Sequence, residues 1–153
     1  GVCFADELDE LNGKITSVNY REKIINVSGV LINASGARIE NEADQTIPIE
    51  SLSAGNFIEV EGAFTGNGSM TAMKIEKESQ GQDKIKGRID KIDGRTIHTG
   101  GITVRIPSDC VMEGDDDDEP ITFACLKAGI CVEVKGNWSG NRIFTARKIE
   151  TND

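Results

Sequence analysis

The chain has 153 residues, few aromatics (5%) and an acidic surplus that sets its net charge at -9. No apolar run approaches the ~20 residues that a membrane-spanning helix needs. Phosphate backbones are neutralised by Lys and Arg, so this balance argues against nucleic acid as a general partner, although an acidic surplus is also an ordinary route to solubility.

Residues 1–10 read as a processed or disordered start. Val2, Cys3, Phe4 and Ala5 resemble the small-residue end of a secretory signal, with cleavage after Ala5. The expectation is an exported chain, with an internal fragment of a longer protein as the alternative.

From Leu11 onward the sequence states one pattern twice. Gly13 and Ile15 return as Gly87 and Ile89. Leu52, Gly55, Ile58, Val60 and Gly62 return as Leu126, Gly129, Val132, Val134 and Gly136. Thr71, Ala72 and Ile75 return as Thr145, Ala146 and Ile149. All these matches share an offset of 74 residues, the mark of duplicated folding units. The units are expected at 11–78 and 84–151, with the polar segment 79–83 as a linker too short to let them separate far.

Within the first unit, strands are predicted over 12–18, 22–27, 29–33, 46–49, 57–61 and 70–77. In the second they are predicted over 85–92, 95–99, 101–106, 120–124, 131–135 and 142–149. The signal is period-two alternation: Ile58 and Val60 alternate with Glu59 and Glu61, and Val132 and Val134 alternate with Glu133 and Lys135. Ser28-Gly29, Asn67-Gly68, Asp93-Gly94, Gly100-Gly101 and Gly140-Asn141 mark turns between them. Gly62 and Gly136 fall inside strands and suggest bends or bulges. Leu52 and Leu126 each begin a brief turn ending in Gly, where the leucine would plug one end of the unit. Phe64 and Trp138 share the parity of the buried valines, which favours packing over a stacking platform for bases or sugars. Many short strands with little helix predict an all-β fold of two tandem OB-like small β-barrels, since closure removes exposed strand edges.

Three features are not shared between the units. Asp115, Asp116, Asp117 and Asp118, flanked by Glu113 and Glu119, form an acidic loop 113–119 in which a hard cation such as calcium would relieve repulsion. The loop lacks the alternating ligands of an EF-hand, and a solvated loop is the plainer reading. Without it the second unit is basic, so the loop could instead fold over that basic face, or the face could meet the acidic first unit. The cysteines Cys3, Cys110, Cys125 and Cys131 make no CxxC pair and do not suit a structural zinc site. A hairpin centred near Asp117 would bring Cys110 opposite Cys125 as a disulfide candidate, with Cys125–Cys131 or reduced thiols as alternatives. His98, the only histidine, has no acid–base partner in the sequence and reads as a surface or edge residue.

The Gly-x-Ile opening, the Leu-x-x-Gly-x-x-Val-x-Val-x-Gly segment and the Thr-Ala-x-x-Ile-Glu close together resemble a bacterial exported tandem-repeat family, domain of unknown function 5666. The resemblance covers nearly the whole chain. It implies OB-like barrels in a periplasmic, cell-envelope or extracellular setting, and it brings no catalytic residues. No Gly-rich phosphate loop, nucleophile motif or catalytic carboxylate pair stands out, so no enzyme activity and no cofactor are expected. The expected function is a non-enzymatic binding or structural module for a protein or glycan. The alternatives are a calcium-responsive module using Asp115 to Asp118 and, by fold analogy alone, oligonucleotide binding.

Overall fold

The computed structural model describes residues 7–114 and 120–152, leaving aside the side chain of Asn152. The first unit contains β1 (Asp9–Lys14), β2 (Ser17–Asn19), β3 (Ile24–Val27), β4 (Val30–Asn33), β5 (Arg38–Glu40), β6 (Phe57–Gly66) and β7 (Ser69–Glu78). The second contains β8 (Lys84–Arg88), β9 (Lys91–Asp93), β10 (Thr96–Thr99), β11 (Ile102–Arg105), β12 (Val111–Glu113), β13 (Cys131–Gly140) and β14 (Ile143–Asn152). Short 3-10 turns at Ile49–Ser51 and Phe123–Cys125 are the helical elements among the described residues, and no helix there is long and apolar enough to cross a membrane.

Alternation decides which way each strand faces. Ile58, Val60, Ile75, Val132, Val134 and Ile149 point inward and are almost fully buried, while the intervening Glu59, Glu61, Glu76, Glu133 and Lys135 point outward. Gly62 and Gly136 sit at bulges where the β6–β7 and β13–β14 registers shift, and each has a partner-strand carbonyl (Thr71 or Thr145) where a Cβ would stand. The strands expected over 46–49 and 120–124 are reduced to single bridges at Thr46 and Pro120. Pro48 and Pro120 have no N–H to give a ladder, and the chain passes into the 3-10 turns instead. These 3-10 turns lie just before Leu52 and Leu126, the expected turns follow at Ala54-Gly55 and Ala128-Gly129, and both leucines are buried as plugs.

The all-β class holds, but the two closed OB-like barrels do not. The strands of both units join one continuous 14-stranded sheet in the order β2-β3-β4-β7-β6-β1-β8-β13-β14-β11-β10-β9, with β5 on β7 and β12 on β14. The chain winds as stacked coils of a β-solenoid, and its strand path runs from β2 to β9 without closing. The physical reason lies in β1. One edge pairs with β6, and the other is taken by β8 of the second unit, so each unit resolves its edge by pairing with the other.

That seam pairs equivalent residues. Leu11 lies opposite Ile85, its counterpart 74 residues on, in antiparallel register. Antiparallel pairing of equivalent strands imposes a local two-fold relation, and the contacts around it are reciprocal. Trp138 of the second unit covers Gly13 of the first and donates its Nε1–H to the Asn12 carbonyl at 3.0 Å. Phe64 of the first unit lies over Gly87 and Gly100 of the second. The Asp9 carboxylate accepts from the Phe64 backbone N–H at 2.8 Å, and Asp83 does the same for Trp138 at 3.0 Å. The hairpin tips also cross: Gly68 N–H donates to the Gly100 carbonyl at 3.1 Å, and Arg142 N–H to the Ser28 carbonyl at 2.6 Å. The two aromatics are therefore packing residues of the seam, and a single hydrophobic cluster draws on both units.

Candidate functional site

The outer face of the continuous sheet carries charged residues in two adjacent rows. Across the strands, one row reads Glu40, Glu76, Glu59, Asn12, Lys84, Lys135 and Lys148. The neighbouring row reads Lys74, Glu61, Glu10, Lys86, Glu133, Glu150 and Glu113. On the second unit the rows neutralise each other. Lys84 meets Glu133 at 3.3 Å and Glu10 at 2.7 Å, Lys148 meets Glu113 at 2.7 Å and Glu150 at 3.6 Å, and Lys135 meets Glu150 at 3.9 Å. Burial works against the Lys84 charge, but the carboxylates of Glu10 and Glu133 outweigh it and leave the ammonium above its ordinary pKa. The Glu113 hydrogen bond likewise raises Lys148.

On the first unit the cations run out. Lys74 is shared between Glu40 at 3.8 Å and Glu76 at 3.7 Å, while Arg38 holds Glu40 at 2.6 Å. Glu59 stands directly opposite Glu76 and forms no ion pair among the described residues. Carboxylate oxygens of Glu59, Glu76 and Glu78 come within 4.8 Å of one another, as do those of Glu40, Asp44 and Glu76. A hydrogen bond shared with Glu76, then partial burial and the charges of Glu59, Glu76 and Glu42, push Glu78 up to about 8. A cleft of about 130 Å³ opens between these strands, lined by Glu10, Asn12, Glu59, Val60, Glu61, Lys74, Glu76 and Lys84. Chemically the arrangement offers oxygen donors and negative potential. It offers no nucleophile beside a base among the described residues.

The residues singled out from sequence fare differently. Asp115, Asp116, Asp117 and Asp118 lie outside the described residues; of their flank, Glu113 is held by Lys148. Cys110 and Cys125 do not bond to each other: both thiols are free. Glu113 faces Pro120 in a single antiparallel bridge, a register that would set Cys110 against Phe123. The chain has by then turned into the 3-10 segment Phe123–Cys125. Burial raises the Cys110 thiol. Among the described cysteines, Cys131, buried at the start of β13, is disulfide-bonded. His98 is half-buried on β10 between β9 and β11, so it is not on an edge strand.

The first-unit glutamates escaped sequence reading because each looks like the solvent half of an alternating strand. Comparing outward positions between the copies would have exposed them: Glu61 corresponds to Lys135, and Asn12 to Lys86.

The two-copy architecture coincides with a family pattern. The model of a domain of unknown function (DUF5666) matches the chain twice, over residues 12–76 and 86–150. The chain belongs to this family. Each DUF5666 copy runs from the seam strand (β1 or β8) into the second long hairpin strand (β7 or β14). No curated protein and no solved structure matches the chain.

Proposed function

We propose that this DUF5666 protein is a non-enzymatic binding or structural module of an exported bacterial cell-envelope protein, with the outer face of the first unit as its binding surface. The observation that carries the reading is the charge asymmetry of a single rigid sheet. Equivalent faces are neutralised on the second unit and left acidic on the first, while the reciprocal seam fixes both in one frame. A face kept acidic at a like-charge cross-strand pair costs stability, which a binding role would offset. Export is supported by a disulfide at Cys131, a bond that persists in oxidising compartments.

Osmotic-shock fractionation with thiol alkylation of the native protein tests this reading. The expected result is recovery in the envelope or periplasmic fraction, with Cys110 and Cys125 alkylated and Cys131 spared. A cytoplasmic protein with Cys131 alkylated would overturn it.

A further inference from the structure

We propose that the first unit holds a hard divalent cation, calcium by preference, between β1, β6 and β7, with Glu59 and Glu76 supplying carboxylate oxygens and Asn12 its side-chain carbonyl. The inference rests on the binding-module reading and names the ligand class of that face. It assigns the ion to residues other than Asp115, Asp116, Asp117 and Asp118.

Glu59 is the middle of three cross-strand neighbours, opposite Asn12 on one side and Glu76 on the other. Such neighbours stand about 5 Å apart at Cβ. The carboxylates of Glu59, Glu76 and Glu78 already converge within 4.8 Å. An ion that binds oxygens at roughly 2.3–2.6 Å spans that separation from its centre.

Asn12 supplies an independent observation. It is only 7% exposed, it lines the cleft beside Glu59 and Glu76, and no hydrogen bond among the described residues engages its side-chain amide. Its backbone carbonyl is the atom that Trp138 occupies. An amide at the wall of the cleft is placed to meet a ligand that enters there. A cleft of about 130 Å³ holds an ion with some of its water.

The second unit acts as an internal control. There, Glu133 and Glu150 occupy the places of Glu59 and Glu76, and Lys86 occupies the place of Asn12. Lys84, Lys135 and Lys148 reach that carboxylate pair within 4.0 Å or less, at 3.3, 3.9 and 3.6 Å. One copy therefore carries built-in cations where the other presents an amide and carboxylates. Of the two lysines at the first-unit cleft, Lys84 is committed to Glu10 and Glu133, and Lys74 to Glu40 and Glu76.

Isothermal titration calorimetry of the full chain with calcium chloride alone is the test, with far-UV circular dichroism confirming that every variant folds. The expected result is one site in the range of extracellular calcium modules, about 0.1–1 mM. Binding should weaken at least about tenfold in Glu59→Gln and in Asn12→Lys, which copies the second unit. It should be unchanged when Asp115, Asp116, Asp117 and Asp118 are all replaced by Ser. Absence of binding at about 10 mM, or binding lost in the loop variant and kept in Glu59→Gln, overturns the site. Either failure leaves the envelope reading standing, because fractionation judges that separately.

Discussion

At the scale of single residues, Glu78 and Trp138 carry the sharpest consequences. Glu78 binds its proton more tightly in the folded state, where its pKa is about 8, than in the unfolded chain. A raised carboxylate pKa favours folding while the group is protonated, and that contribution is lost as pH rises from the ordinary carboxylate range through about 8. Glu78→Gln is therefore expected to melt higher than the native protein at pH 9 and to differ little at pH 4. Melting curves across that range, without divalent ions, check the sign; a variant that melts lower at pH 9 would refute it. Trp138 spans the seam. Trp138→Ala should cost about 3 kcal/mol in urea unfolding. Trp138→Phe keeps the edge-to-face contact with Phe144 and loses the bond to the Asn12 carbonyl, for about 1 kcal/mol.

At the scale of elements, legibility followed period. The alternating runs around Ile58, Val60, Val132 and Val134 announce β6 and β13, because one buried face leaves that imprint on sequence. The shorter β5 and β12 were not foreseen. Each has three residues, too few to show alternation, and each is fixed by parallel pairing to a distant strand, β7 or β14. The Cys110–Cys125 pairing failed for a related reason. Symmetry about Asp117 set the expected register, whereas the Glu113–Pro120 bridge sets the actual one. Alkylation of the folded, unreduced protein should label Cys110 and Cys125, with Cys125 faster because it is exposed and Cys110 is partly buried with a raised pKa.

At the scale of the whole molecule, duplication was plain in the sequence, but the way the copies join was not. A 74-residue offset says that two similar units exist. It does not say that Leu11 will pair with Ile85, because either copy could have closed on itself with the same alternation. What settles the matter is reciprocal: Trp138 on Gly13, Phe64 on Gly87, and each long hairpin tip on a turn of the other unit. The candidate site was hidden at this same scale. Glu59, Glu76 and Asn12 are unremarkable singly and meaningful only once β1, β6 and β7 lie side by side and the second unit shows lysine in place of Asn12.

The central claim is that both copies form one cooperative body with a shared seam. Urea unfolding of the full chain, followed in parallel by Trp138 fluorescence and far-UV circular dichroism, addresses it most directly. Because Trp138 reports the seam and circular dichroism reports both coils, one cooperative transition with coincident midpoints is expected. Two separated transitions, with fluorescence changing before most of the sheet is lost, would show that the units fold independently and contradict the account.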